Sequence, residues 1–535
     1  MALHRRAQIP LEGAGVVALH PEAEGVHHAD QLLRLGVARA RGRPQLLPRL
    51  LELAGFHQVA RRLELRPHGR GQKPRGQHAR RHSAHRLLPA VLSLTLAAGA
   101  ADATEPVRPA PAPARQPLPA PPGDADFLPV DRAKAEIGRL LFYDKILSGN
   151  RNISCGTCHH HDHAGSDGLS LGIGEGGTGV GPERGPGSGP SRIRKRIPRN
   201  AAALWNLGHR DIRVLLHDGR LEESGLYGNG FNSPAQEWLP EGLPDIVAAQ
   251  ALLPLAAQFE MAGNPAENEV AGAIHDRIDY GWPILAKRVR TIPAYGEAFV
   301  AAFDGIGAAE EVGIVEIATA LSHFIRLEWR NHDSPFDRHL AGDRGALSPE
   351  QKAGMALFYG DAGCAECHSG PLLSDQRFHA LGLPQFGPGR TRRWDPAVRD
   401  VGRMAESNRL EDAYRFRTPP LRNVALTAPY GHNGAWPTLE GIVRHHLDPE
   451  GARAAWRPEM ARLPDAPWLS EIDFVVRQDR LEAARHARAL DIRPRALEAA
   501  EIDQIVAFLH ALTGETADER PLGRPETVPS GLPVD

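Results

Sequence analysis

The chain has 535 residues, 41% of them hydrophobic and 24% charged, the composition of an ordinary globular protein of three or four domains at roughly 150 residues each. Lys and Arg total 63 against 65 Asp and Glu, and the net charge of −2 excludes a nucleic-acid binder held by bulk positive charge. Only 4 cysteines occur, which excludes a disulfide-dense scaffold.

Residues 1–79 are rich in Arg, His, Leu, Gly and Ala and show little periodicity. A basic stretch over 80–86, an apolar run over 87–96 and small residues over 97–103 then follow, the layout of a cleaved secretory signal peptide. The apolar run is too short for a permanent membrane span, which needs about 20 residues. A signal peptide belongs at a chain's start, so residues 1–79 are expected to be a non-native or disordered extension upstream of the true start. The mature protein is expected in the periplasm. Residues 104–123 are Pro/Ala-rich and read as a stiff extended linker.

Cys155-Gly156-Thr157-Cys158-His159 and Cys364-Ala365-Glu366-Cys367-His368 use all four cysteines in two C-x-x-C-H motifs. Two thiols one helical turn apart can bond the two vinyl groups of a haem, and the adjacent His reaches the iron from the proximal side. A four-Cys zinc site would not require a His after each pair, and a dithiol redox motif would not need to appear twice. Two covalently attached c-type haems are therefore expected.

The surroundings of the motifs repeat. Residues 137–143 and 353–359 read as amphipathic helices before each motif, the second opening on the capping box Ser348-Pro349-Glu350-Gln351. Helices over 315–329 and 501–513 close each unit, with Ala318, Leu321, Phe324 and Ile325 on one apolar face and Ile502, Ile505, Val506, Leu509 and Leu512 on the other. The pattern predicts an all-α fold of two tandem cytochrome c-like domains, 124–335 and 336–515, joined near 331–343. Long Gly/Pro-rich loops and a tail at 516–535 complete it.

From about 124 to 515 the chain resembles the bacterial di-haem cytochrome c peroxidases and MauG-like enzymes. Arg199-Asn200-Ala201-Ala202-Ala203-Leu204-Trp205-Asn206 is similar to the family's R-N-x-P-x-L-x-N, and Leu216-His217-Asp218-Gly219-Arg220 to its F-W-D-G-R. Thr418-Pro419-Pro420-Leu421-Arg422-Asn423-Val424, Thr427-Ala428-Pro429-Tyr430 and His432-Asn433-Gly434 follow its consensus closely. The resemblance implies that Gln250, Pro254 and Glu260 are the distal residues of haem 1, with Glu260 as the acid/base for peroxide O–O cleavage. It also implies that Asn200, Thr427 and Pro429 hold a calcium ion between the domains.

Three departures from the family matter. The Gly-His-Gly loop whose His covers haem 1 in the resting peroxidases is Gly172-Ile173-Gly174-Glu175-Gly176 here, so haem 1 is expected to stay open. Nearby His160, His161 and His163 are read as solvated loop residues or incidental metal binders. The family's inter-haem Trp aligns with His217, which leaves Trp205 or another aromatic as its substitute. His446 stands where haem 2 of the family has Met or Tyr, so a bis-His haem 2 is expected, with Met404 and Met460 as the alternative ligands. The basic run 192–196 is read as a solvated loop.

The loop over 172–190, the L-H-D-G-R form and Phe259-Glu260-Met261-Ala262-Gly263 look most like a MauG-like subgroup. It includes the di-haem enzyme associated with methanobactin gene clusters, which oxidises a tryptophan of a copper-binding periplasmic protein. The expected function is that of an exported oxidoreductase that uses hydrogen peroxide to oxidise a protein partner. Two alternatives stand beside it. One is a cytochrome c peroxidase drawing electrons from a small cytochrome or cupredoxin, and the other is a non-catalytic di-haem electron carrier, which requires both irons six-coordinate.

Overall fold

Two crossed helix pairs organise the protein. The computed structural model describes residues 115–392, 395 and 397–535, so the expected extension and signal peptide lie outside the described residues. The helices that build the sites are α1 (Arg132–Tyr143), α2 (Cys155–Cys158), α3 (Ile246–Ala256), α4 (Ile314–Glu328), α5 (Pro349–Phe358), α6 (Leu439–Leu447) and α7 (Ala499–His510). No helix among the described residues is long and apolar enough to cross a membrane.

Asp131 caps α1 by accepting the N–H groups of Ala133 and Lys134, and the helix buries Ala135, Ile137, Leu141 and Phe142 along one face. That face packs on α4, which turns Ile317, Leu321 and Phe324 inward. The second pair repeats the design. Ser348 and Gln351 form the expected reciprocal capping box of α5, with Pro349 at the first helical position, and α5 packs on α7 through Phe358, Ile505 and Phe508. Each pair nucleates its own apolar cluster, the first around Leu141, Phe142, Phe324 and Trp329, the second around Phe336, Phe358, Trp436 and Phe508.

Both crossings depend on a glycine. A Cβ on Gly138 would lie 2.0 Å from the Ala320 carbonyl oxygen, and one on Gly354 would lie 1.8 Å from that of Gln504. The helix backbones therefore touch at these points, with no side chain between them.

The strands among the described residues are short, two or three residues each, in keeping with the all-α expectation. β1 (Val214–Leu215), β2 (Leu221–Glu223) and β3 (Phe231–Asn232) form an antiparallel meander in which Val214 faces Glu222. β4 (Phe378–His379) and β5 (Phe416–Arg417) form a two-stranded ribbon. The β1–β2 turn carries the Leu216-His217-Asp218-Gly219-Arg220 motif.

The basic run 192–196 is only partly the solvated loop expected. Arg192, Arg194 and Lys195 are exposed, but Arg196 is buried, 3.0 Å from Asp473, and donates 2.8 Å to the Pro464 carbonyl. Ile193 sits in a third small cluster with Leu169, Ile173, Ala466 and Leu469. Local polarity concealed a partner more than 250 residues away.

Residues 516–535 run back over the first cluster. Val528 is buried, Leu522, Leu532 and Val534 pack on that cluster, and Ser530 donates 2.6 Å to Asp144. Asp535 lies 2.6 Å from Lys145 and accepts a hydrogen bond from Thr157 inside the first haem motif.

Helix propensity alone predicts that Gly→Ala in a helix stabilises by about 1 kcal/mol, whereas close packing predicts a loss of about 1–3 kcal/mol from overpacking. At 2 Å from a backbone oxygen the steric cost wins. Gly138→Ala and Gly354→Ala should each lower the denaturation midpoint, and chemical unfolding of the holoprotein checks the sign.

Candidate haem sites

The first motif opens at Ser154, whose N–H donates 2.9 Å to Thr157 Oγ1, and the Cys155–Cys158 turn follows as α2. The next residues fold back tightly. Gly165 N donates to the His160 carbonyl, and Gly165, at φ +75°, sits where a Cβ would lie 2.7 Å from the Trp329 indole nitrogen. This turn delivers the Gly165 carbonyl to His159, whose Nδ1–H donates to it at 2.9 Å. A ring held at Nδ1 presents Nε2 as its ligating atom. The second motif repeats the arrangement, with His368 Nδ1 donating 3.0 Å to the Leu373 carbonyl.

His368 faces a cavity of about 610 Å³ that is also lined by Cys364, Cys367, His446, Pro420 and Leu421. His446, on α6, donates from Nδ1 to the Ile442 carbonyl at 2.8 Å, so it too presents Nε2. The two ring centroids are 6.3 Å apart. Two imidazoles on opposite sides of one metal, at about 2.0 Å per metal–nitrogen bond and about 1.1 Å from nitrogen to ring centre, would be separated by about 6.2 Å. Burial lowers both pKa values, that of His368 to about 4 with His446 adding to the effect, and the neutral imidazole is the ligating form. Met404 is buried in a separate short helix and Met460 lies in a 3₁₀ turn, and neither lines this cavity.

The cavity also suits a porphyrin carboxylate. Arg417 lines it, its side chain donates among the described residues to the carbonyls of Leu216 and Thr418, and burial pushes its guanidinium down to about 10. An anionic group there would offset that desolvation. Cys367, Asp375 and His379 come within 4.8 Å of one another, and a thioether at Cys367 would leave the His379–Asp375 pair at 2.9 Å.

At haem 1 the distal candidates lie on α3 and the turn after it. Pro254 lacks the N–H that would continue the helix, α3 ends at Ala256, and a single π-turn over Gln258–Ala262 carries Glu260. Glu260 is close enough to Cys158 and Arg220 for its charge to act on both. Gln250 Oε1 is buried with no hydrogen-bond partner among the described residues. Loop 172–176 lies against this turn, because Glu175 N donates to the Phe259 and Glu260 carbonyls at 3.2 and 3.0 Å. Buried Arg184 fixes the loop by donating to the carbonyls of Ile173, Gly174 and Gly179 at 2.6–2.8 Å.

Asn200, Thr427 and Pro429 all line the haem 2 cavity. Asn200 Nδ2 donates 2.7 Å to the Leu169 carbonyl, so its side-chain oxygen is the atom left to accept or ligate. His217 lines the same cavity and donates to the Asn200 carbonyl at 3.1 Å, and burial pushes it down to about 4. Trp205 both lines the cavity and belongs to the first apolar cluster.

Sequence reasoning missed a buried ion cluster between the two motifs. Arg199 donates to both oxygens of Asp400 at 2.8 Å and lies 2.6 Å from Asp218, which Arg390 also approaches at 3.2 Å. Burial by itself would lower the Arg199 pKa, but the two carboxylates hold it above the ordinary arginine value. Removing one partner from such a buried set costs about 3–5 kcal/mol. The expectation for the histidines after the first motif is corrected. His160 is buried, and His161 is enclosed between Tyr143 and Glu328, whose Oε1 accepts from Nε2 at 2.7 Å.

A family model described as di-haem cytochrome c peroxidase matches residues 132–345. Cytochrome-c peroxidase IdrP1 of Pseudomonas sp. (strain SCT) is 31% identical over 380 residues, 67% of this chain and 81% of that protein. The chain belongs to the di-haem cytochrome c peroxidase family. Methylamine utilization protein MauG of Methylorubrum extorquens is 29% identical over 321 residues, covering 60% of this chain and 70% of that one. Cytochrome c551 peroxidase of Pseudomonas aeruginosa is 29% identical over 319 residues, covering 59% and 72%. A solved structure of a MauG-like protein associated with microbial copper homeostasis is 26% identical, with TM-score 0.49, over 77% of this chain and 98% of that one. As a di-haem peroxidase of this family, the protein is an oxidoreductase that carries two c-type haems and reacts with peroxide.

The His446 geometry makes a spectroscopic prediction. His446→Ala should keep both covalent haems but remove the low-spin signature of haem 2, while Met404→Leu and Met460→Leu leave the spectrum unchanged. Haem content by pyridine haemochrome and spin state by EPR check it.

Proposed function

We propose that the protein is an exported, MauG-like oxidoreductase that takes oxidising equivalents from hydrogen peroxide at haem 1 and delivers them to a residue of a partner protein. The observation that carries this reading is loop 172–176. It holds no histidine to cover haem 1, and Arg184 and the Glu260 turn pin it in place. Glu175, at its tip, is engaged by Asn150 and Asn152 at 2.9 and 2.8 Å.

Cys155, Cys158 and His159 hold haem 1, and Cys364, Cys367, His368 and His446 hold haem 2. When bound, the haems supply the redox chemistry by which two electrons reduce peroxide to water. The chain's own residues do the rest. Glu260 takes a proton from the incoming peroxide and returns it to the departing oxygen. Gln250, with an unpartnered buried oxygen, orients the peroxide, and Pro254 sets the π-turn that aims Glu260. Asn200, Thr427 and Pro429 offer neutral oxygens suited to calcium, which would tie the two halves together beside haem 2.

A second reading, a cytochrome c peroxidase fed by a small cytochrome or cupredoxin, is favoured by the identity to the peroxidases named above. Stopped-flow mixing with peroxide separates the two. A long-lived oxidised state that reduced cytochrome c discharges only slowly supports partner oxidation, whereas rapid steady turnover with cytochrome c supports the second reading. In either case Glu260→Gln should slow the peroxide reaction at haem 1 by about 10²–10⁴-fold, with the haem 2 spectrum unchanged.

A further inference from the structure

A buried tyrosine stands against the first haem motif with a complete proton path behind it. The Tyr143 ring abuts Gly156, between Cys155 and Cys158, so closely that a Cβ there would lie 2.2 Å from Tyr143 Cε1. Tyr143 is fully buried, and burial raises its phenol pKa, so the hydroxyl keeps its proton. That hydroxyl donates to His161 Nδ1, and His161 Nε2 donates 2.7 Å to Glu328 Oε1. Glu328 is buried in turn and accepts the N–H groups of Leu522 and Gly523 at 2.9 Å, so the C-terminal segment holds the far end of the path. The order is phenol, imidazole, carboxylate, with each donor facing an acceptor.

We propose that Tyr143 is a redox-active residue, a station at which an oxidising equivalent generated at haem 1 rests as a neutral tyrosyl radical. The electron count closes with hydrogen peroxide as the oxidant. One electron leaves the Tyr143 ring toward haem 1, where peroxide is being reduced. The phenolic O–H bond breaks and its proton passes to His161 Nδ1, while the Nε2 proton of His161 passes to Glu328. The products are a neutral radical, a neutral imidazole of the other tautomer and a protonated carboxyl, so no net charge is created in the buried site by the proton movements.

A neighbouring aromatic shows why the path matters. Trp329 packs 5.2 Å from the His161 ring and reaches Gly165, the residue that receives the His159 hydrogen bond. Its indole N–H is buried and has no acceptor among the described residues. Oxidised Trp329 could not shed its proton and would remain a cation in an apolar surrounding, at a desolvation cost Tyr143 avoids. Among the described residues, Tyr143 has an acceptor for that proton and Trp329 has none.

The inference rests on peroxide reacting at haem 1, as the proposed function requires. The test is freeze-quench EPR of the holoprotein mixed with hydrogen peroxide and no partner, with haem 1 absorbance followed in parallel. A tyrosyl signal is expected in the wild type, with altered hyperfine structure when the protein is made with ring-deuterated tyrosine. The signal should be absent in Tyr143→Phe, which keeps the ring packing and still shows the wild-type haem 1 response to peroxide. His161→Gln should lose the radical while retaining both haems. A radical that persists in Tyr143→Phe, or is insensitive to deuterated tyrosine, overturns the assignment, as does a wild type whose haem 1 responds without any protein radical. A haem 1 that does not respond at all overturns the peroxide reading together with this one.

Discussion

An imidazole can bind iron in a fixed direction only if its other nitrogen is held. Three rings in this protein are held in the same way, His159 by the Gly165 carbonyl, His368 by the Leu373 carbonyl and His446 by the Ile442 carbonyl. Much of the structure serves to deliver those carbonyls. The tight turn over 160–166 needs Gly165 against Trp329, and Trp329 is set by the α1–α4 crossing through Phe142 and Phe324. His446 receives its carbonyl from within its own helix, one turn back, and α6 contacts α7 so that this ring lies 6.3 Å from His368. The two C-x-x-C-H turns thus share one design, and a further histidine faces the second across its cavity.

The halves are joined by charge as well as by packing. Arg199 and Asp218 come from segments after the first motif, while Arg390 and Asp400 come from segments after the second. Their mutual pairing is in a buried site, where an unmatched charge is expensive and a matched set resists rearrangement. The same principle governs the loop beside Glu260. Arg184 has no carboxylate within ion-pair distance among the described residues and is neutralised by three carbonyl dipoles, which fixes the loop's backbone in one conformation. These local arrangements are what the proposed open site at haem 1 and six-coordinate site at haem 2 would rest on.

What could be read from the sequence was whatever repeats or has a short-range rule. The two C-x-x-C-H motifs, the capping box at Ser348 and the 3.6-residue periodicity of the α1–α4 and α5–α7 pairs are local patterns, and the helices formed within a few residues of where they were expected. His446 was singled out because it stands where the family has Met or Tyr, and the structure places its ring 6.3 Å from that of His368. What escaped was contact across long stretches of chain. His161 looks solvated beside His160 and His163, but its partner Glu328 is 167 residues on. Arg196 looks like one of a basic run, yet Asp473 encloses it. Polar residues carry no periodic signal of whether a distant segment will cover them, and those are the residues that build the buried networks here.

The central claim is that the two irons differ in coordination, one open and one held by two imidazoles. EPR of the fully oxidised holoprotein tests it most directly. The account predicts one high-spin and one low-spin ferric haem in equal amounts, with peroxide altering the high-spin component. Two low-spin haems, both unchanged by peroxide, would contradict it.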